Sequence, residues 1–433
     1  MSTRDEGVAC LNGNVIAIDL QVQEKPQMTA SNGRRLMAST ILSASLFTAF
    51  GFAQSDLPRI RPLRKMPVET LTINLGFRDW GPATIAGTTI LAGNMTGRGG
   101  LFAVDMMTGK LKWTFRSVFS TGTSGLSTAP AVAGNLVIAP FAAAYPGAVV
   151  AVSLATGKEV WRGPDPIQGA AVAVNGDLAY VLGKNGNFYA LEVATGRERW
   201  KVQFATNLAT CASRPIVKDD TVYLTGTAAV TAGDSARPAG YYLLALDART
   251  GNERWRYRAE APYVHSGVCL SQPLVTSDTI FAAGGSHLYA VERSTGRDRW
   301  PPIEVRRQVE GQVRAVEIHG LVDAGAVLIG MTPGYLIAFE KNSGRTAWEI
   351  AGQYRDSSPA MAVAGGVLYF QGSPGAKSGT EAGATLHALD LDSRDILWSF
   401  TRPTGESNWP FGPVIPVDGG LWVSSYQALL KLE

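Results

Sequence analysis

Cysteine and histidine are scarce. Three cysteines, Cys10, Cys211 and Cys269, and four histidines, His265, His287, His319 and His387, are scattered over 433 residues. None forms a CxxC or a Cys/His cluster, so no structural zinc site is expected and the histidines read as ordinary core or surface positions. Charge is also sparse. Only 17% of residues are charged against 45% hydrophobic, which excludes a disordered chain. Eight basic and five acidic residues fall in positions 1–65 and account for the whole net charge of +3. The neutral remainder lacks the basic excess that a nucleic-acid partner requires. There is no Gly-x-Ser-x-Gly, P-loop, His-Glu-x-x-His or dinucleotide fingerprint, and no carboxylates spaced for acid–base work. No catalytic residue is assigned.

The apolar run Leu36–Phe52 follows Arg34-Arg35, carries several Ser and Thr, and is short for a comfortable membrane span. Gly51-Phe52-Ala53 ends it with small residues before Gln54, the layout of a secretory signal. A long stretch precedes the arginines, so Met28 is the expected start. No cysteine closes the run, which leaves a lipid anchor without an acceptor. The expected organisation is an export region at 1–53, a linker at 54–67 and a folded unit at 68–433. The expected location is periplasmic or secreted. Of the cysteines only Cys211 and Cys269 would remain. Each stands four residues before a proline, Pro215 and Pro273, which makes them a candidate disulfide decided by their Cα separation.

Glycine and proline are abundant, 48 and 23 residues, and favour frequent turns over long helices. A thirteen-residue pattern recurs seven times: LFAVDMMTGKLKW (101–113), VVAVSLATGKEVW (149–161), FYALEVATGRERW (188–200), LLALDARTGNERW (243–255), LYAVERSTGRDRW (288–300), LIAFEKNSGRTAW (336–348) and LHALDLDSRDILW (386–398). Its third residue is always Ala and its last always Trp, and the ninth is Gly except at Arg394. Five β-prone residues, a tight turn and a second strand make a hairpin, and a further hairpin precedes each one, as in PIVKDDTVYLTG (215–226). Every repeat therefore holds four short strands, A to D. Such a sheet cannot bury both faces alone, so the repeats must stack with an aromatic side chain at each junction. The expected fold is all-β, an eight-bladed β-propeller of four-stranded antiparallel blades with tryptophan-docking motifs. The C-terminus supplies only strands A to C of the eighth blade. VETLTINLG (68–76) is expected to supply the missing strand and close the ring.

The Ala-x-Asp-x-x-Thr-Gly-x-x-x-Trp core at Ala103–Trp113, Ala190–Trp200 (with Glu192 for the Asp) and Ala245–Trp255 resembles the docking motif of the pyrroloquinoline-quinone (PQQ) repeat family. The resemblance covers roughly residues 70–433. It implies a structural, blade-packing role for Trp113, Trp161, Trp200, Trp255, Trp300, Trp348 and Trp398. One branch of that family comprises quinoprotein dehydrogenases, which hold PQQ and calcium and typically stack an adjacent-cysteine disulfide on the quinone. This chain has no adjacent cysteine pair and no CxxCH haem site. The other branch comprises scaffolds similar to BamB, whose lipid-bearing cysteine is missing here.

In a four-stranded blade the A–B and C–D turns share one face, and the B–C and D–A connections share the other. The first set is uniformly short. The second is elaborated by insertions at Pro140–Gly147, Thr227–Gly240 and Gln371–Ala384. Binding-rim candidates are Arg78, Asp79, Trp80, Arg214, Gln272, Asp356, Asn408 and Trp409, which would line a polar, aromatic funnel. The expected function is a monomeric, non-enzymatic scaffold that presents this rim to a protein partner in the cell envelope, with no cofactor and no metal. The alternatives are a PQQ- and calcium-dependent dehydrogenase and a carbohydrate or small-ligand module.

Overall fold

The computed structural model describes residues 5–11, 14–20, 60–74, 81–94, 100–116, 126, 128–141, 147–164, 171–183, 186–203, 213–229, 238–259, 271–309, 311–352, 361–372, 385–401, 413–425 and 428–433. Every regular element of any length among them is a strand, and none is a helix long and apolar enough to cross a membrane.

Eight four-stranded antiparallel sheets form a ring. Listed as strands A to D, blade 1 is Thr84–Ala86, Thr89–Gly93, Gly100–Asp105 and Leu111–Arg116. Blade 2 is Ala131–Ala133, Leu136–Phe141, Ala148–Ser153 and Glu159–Arg162. Blade 3 is Val172–Asn175, Leu178–Leu182, Asn187–Glu192 and Glu198–Gln203. Blade 4 is Ile216–Lys218, Thr221–Ala229, Pro238–Asp247 and Glu253–Ala259. Blade 5 is Leu274–Val275, Thr279–Gly284, His287–Glu292 and Asp298–Glu304. Blade 6 is Gly320–Ala324, Val327–Thr332, Tyr335–Glu340 and Thr346–Ala351. Blade 7 is Ala362–Ala364, Val367–Gly372, Thr385–Asp390 and Ile396–Thr401. Blade 8 takes strands A to C from Val414–Val417, Gly420–Ser424 and Leu429–Leu432, while its strand D is Glu69–Ile73 from the other end of the chain. That strand runs antiparallel to strand C, with Thr72 opposite Leu430 and Ile73 opposite Leu429.

The repeat explains each junction. In all seven motifs the alanine of strand C lies directly opposite the tryptophan of strand D, from Ala103 and Trp113 to Ala388 and Trp398. The register shifts immediately beyond each of these pairs. A methyl group opposite leaves room for the indole, and the bulge aims it out of its own sheet. Six of the seven indoles then meet the C–D turn of the next blade. Trp113 Nε1 donates to Leu154 O at 2.7 Å, Trp161 to Val193 O at 2.7 Å, Trp200 to Ala248 O at 3.0 Å, Trp255 to Arg293 O at 3.0 Å and Trp300 to Lys341 O at 3.1 Å. The turn glycine lies flat on the ring it receives. A Cβ on Gly157 would stand 2.6 Å from Trp113 Cε3, and one on Gly196 2.5 Å from Trp161 Cε3. Glycine therefore serves twice here, for its positive φ and for the close approach. Arg394 takes the same left-handed backbone without glycine, at φ 66°, and its guanidinium lies over Trp348 at 5.9 Å.

Blade 8 has no C–D turn, so Trp398 of blade 7 meets something else. Its Nε1 donates to Leu63 O at 2.8 Å, and the Leu63 amide donates to the Tyr369 hydroxyl at 2.7 Å. Leu63 is buried, Arg64 pairs with Asp390, and Arg61 pairs with Asp418 at 2.8 Å. Residues 60–67, which the sequence presents as the end of a linker, are thus a packed substitute for the missing turn. Orphaned acceptors and an uncovered indole select that position. Shared cores then join blade 7 to blade 8, blade 8 to blade 1 and blade 1 to blade 2.

Two hairpins lie outside the blades. Asp5–Leu11 and Asn14–Leu20 pair antiparallel within the expected export region, whose apolar run Leu36–Phe52 lies outside the described residues. Arg306–Val309 and Gln312–Ala315 pair in the connection between blades 5 and 6.

Candidate functional site

The D–A segments return to the axis on the face carrying the B–C connections, and they are held there by a recurring bond. Gly81 N donates to Gly93 O at 2.8 Å, Ser271 N to Ala283 O at 2.6 Å and His319 N to Met331 O at 2.9 Å. In each case the segment extends the B strand of its own blade at the mouth. Side chains join neighbouring blades: Thr84 Oγ1 donates to Pro130 O at 2.6 Å and Thr225 Oγ1 donates to Ser271 O at 3.2 Å, while within blade 4 Ser213 and Thr225 share a short hydroxyl contact.

Two of the rim candidates lie within this mouth. Arg214 is only 8% exposed and its Nε donates to Val172 O at 3.0 Å, so it ties blade 4 to strand A of blade 3. Burial and this bond make it a junction residue, not an open recognition group. Gln272 is half-buried beside Ser271, whose Oγ accepts the Ala283 amide at 2.9 Å. Arg78, Asp79, Trp80, Asp356, Asn408 and Trp409 lie outside the described residues, as do Cys211 and Cys269. Of the three expected insertions, the one in blade 4 is partly regular. Thr227–Ala229 and Pro238–Gly240 continue the B–C ladder beyond the body of the blade.

The element that sequence reasoning missed is the hairpin 306–315. Its root is fixed: Val316 N donates to Val305 O at 2.9 Å, Val305 N to Ser286 O at 2.7 Å and Ile318 N to Gly285 O at 2.9 Å. Val305, Val316 and Ile318 are buried in the core shared by blades 5 and 6. The B–C turn of blade 5 and both hairpin ends are therefore one unit. The flank is pinned to blade 6, where Arg307 reaches Glu349 at 2.7 Å and the Tyr335 hydroxyl donates to Gln308 O at 3.3 Å. The other strand stands free of the body. Gln312, Arg314 and Ala315 are exposed and Val313 is 67% exposed. The turn glycine, Gly311, has φ 78°, and Glu-Gly flanked by Val309 and Val313 was the available signal.

Titratable groups near this face are few. His287 stacks on Tyr289 at 6.1 Å, and burial lowers its pKa against an opposing pull from Glu304. His387 stacks on Phe370 at 5.1 Å, contacts Ser399 Oγ through Nδ1 at 2.8 Å, and is also lowered by burial. Both sit inside blade packing. Among the described residues there is no group of three or more His, Cys, Asp or Glu that could hold a metal ion.

Four-stranded blades docked by Ala–Trp pairs onto glycine turns, with the variable connections gathered on one rim, define a PQQ-like β-propeller. The chain belongs to the family described as outer membrane protein assembly factor BamB, whose model matches residues 55–163 and 145–400. A curated relative from Nitrosomonas eutropha, an outer membrane protein assembly factor BamB, is 28% identical over 185 residues, 40% of this chain and 37% of that protein. The serine/threonine-protein kinase AfsK of Streptomyces griseus is 29% identical over 196 residues, 44% of this chain and 22% of the kinase. The matched stretches thus span well under half the length of these relatives. Among solved structures, BamB from Moraxella catarrhalis superposes with a TM-score of 0.58 at 16% identity, covering 85% of this chain and 97% of that one, a likeness of fold alone.

Proposed function

We propose that the protein is a non-enzymatic periplasmic scaffold that holds a protein partner of outer-membrane protein assembly on its B–C/D–A rim. The observation that carries this reading is the hairpin 306–315. It is anchored in the core of blades 5 and 6 and projects an exposed strand with Val313 at its outer end. A protruding strand pair with unpaired edges suits a macromolecular surface, whereas small ligands and substrates are bound in concave sites. Family membership supports the process, and the relative named as an outer membrane protein assembly factor supports the envelope setting. In this reading the scaffold works without PQQ or calcium.

The test is affinity capture from cross-linked envelope extracts with the parent chain and with Val313→Asp/Arg314→Glu. The parent should recover an outer-membrane assembly component, and the double variant should recover at least tenfold less. Added PQQ and calcium should leave Tm unchanged. Recovery of the propeller alone, or quinone-dependent dye reduction with an alcohol, overturns the reading.

A further inference from the structure

Exposed apolar side chains are not spread evenly round the ring. Seven large hydrophobic residues are exposed among the described residues, and six of them share one edge of four consecutive blades. Ile396 opens strand D of blade 7, and Met66 and Val68 lead into strand D of blade 8. Met107 lies in the C–D turn of blade 1, Leu111 opens its strand D, and Val160 is the second residue of strand D in blade 2. All six stand on the edge of the C–D turns, opposite the rim that carries the 306–315 hairpin.

The other half of the ring carries different chemistry at the same repeat positions. Blades 3, 4 and 5 have Glu198-Arg199, Glu253-Arg254 and Asp298-Arg299. Their arginines are answered locally, Arg199 by Glu192 at 3.7 Å, Arg254 by Asp247 at 2.8 Å and Arg299 by Asp278 at 2.7 Å. Blade 6 has the neutral Thr346-Ala347. Single exposed hydrophobic residues need no explanation, but six confined to one arc are not required by blade packing, since the charged version of the position folds equally well.

Charge within the arc points to the occupant. Lys65, Lys110 and Lys158 are exposed there, and no ion pair joins them to a carboxylate among the described residues. Most carboxylates beside them are engaged: Asp105 with Lys112 at 3.4 Å, Glu159 with Arg162 at 2.6 Å and Glu433 with Lys431 at 2.5 Å. Asp392 and Asp395, at the blade 7 end, are not. The segment Ile60–Val68 crosses this same edge, and seven residues separate Ile60 from the end of the apolar run Leu36–Phe52.

We infer that the C–D-turn edge of blades 7, 8, 1 and 2 docks on a bilayer surface with anionic headgroups. Methionine, leucine, isoleucine and valine tips enter the interface while the three lysines meet lipid phosphate. This surface is independent of the partner rim, and the propeller would lie tilted with that rim turned away from the lipid.

The test attaches an environment-sensitive fluorophore to full-length Met107→Cys, with Glu253→Cys in blade 4 as the opposite-side reporter and the labelled parent as blank. Vesicles of phosphatidylcholine with about 30% phosphatidylglycerol should shift emission to the blue at position 107 and not at 253, with a much weaker shift on phosphatidylcholine alone. The reporter reads the arc even when the apolar run brings the chain to the vesicle. Leu111→Glu/Val160→Glu/Ile396→Glu should reduce the shift at position 107 at least tenfold in lipid titration, with Tm held because all three side chains are exposed. Equal spectra at the two reporters overturn the inference. So does a shift at 107 produced by envelope proteins and not by vesicles, which would make the arc a protein-binding surface.

Discussion

The docking of each indole on the next turn is open to a clean measurement, because the ring offers glycines that share a backbone conformation but not an environment. Gly251, in the C–D turn of blade 4, has φ 75°, and a methyl there would stand 2.8 Å from Cδ2 and Cε3 of Trp200 and 3.0 Å from Cγ2 of Val202. Gly176, in the A–B turn of blade 3, has φ 59° and nothing within 4 Å of the same methyl. A left-handed backbone costs alanine about 1–2 kcal/mol. Gly176→Ala should be destabilised by that amount alone. Gly251→Ala carries the same term plus overpacking against Trp200, about 1–3 kcal/mol more, for a total of about 2–5 kcal/mol. Arg394→Gly gives the reverse case, since it relieves left-handed strain and loses the contact over Trp348, about 0.5–1 kcal/mol, for a net change near zero. Urea unfolding followed by tryptophan fluorescence reads all three as midpoint shifts at unchanged slope. Equal shifts for Gly251→Ala and Gly176→Ala would refute the reasoning, because Trp200 would then yield at no cost and the glycine would serve φ alone.

Trp398→Phe leaves Leu63 O without its donor and should destabilise the ring by about 1–3 kcal/mol, with hydrogen exchange rising at residues 60–73 before other strands. Acid should also weaken the fold. Asp247 is held at a pKa of about 2, first by its hydrogen bond from Arg254 and then by those from Thr250 and the turn amides, against the opposing effect of burial. Its folded pKa lies below its unfolded one, so its contribution is complete above about pH 4 and is lost as pH falls towards 2. Tm against pH should therefore drop through that window, and less steeply in Asp247→Asn. Burial likewise holds His387 below its usual value, so stability should decline as pH falls below about 6.5, and His387→Phe should remove that component.

The blades were legible because one physical requirement repeats. Ala opposite Trp recurs in seven of the eight blades, with a left-handed turn residue between them that is Gly in six motifs and Arg394 in the seventh. The binding rim was far less legible, because connections that vary between blades carry no repeat against which to read them. Arg214 shows why. A charged residue in a polar loop reads as solvent-facing, yet its guanidinium is drawn to the Val172 carbonyl inside a junction. The hairpin at 306–315 was missed for a related reason. Arg306, Arg307, Gln308 and Arg314 mask an alternation whose apolar members are only Val309 and Val313, and most of the stabilisation comes from its buried root at Val305 and Val316. The packing of residues 60–67 was not legible because their apolar content is small and the partners of Leu63, Tyr369 and Trp398, lie more than three hundred positions away.

The pairing of Glu69–Ile73 with Leu429–Leu432 sets the order in which the molecule can be completed. Glu69–Ile73 is made long before Leu429–Leu432 and must wait for them before it gains its neighbour. Until then, blade 7 presents an unroofed indole, blade 8 an unsatisfied edge, and blade 1 an apolar flank. Loss of even a few residues from the carboxyl end would leave that early strand without a seat. The ring would therefore stay open, with its edges available to other chains, until Leu429–Leu432 had been made.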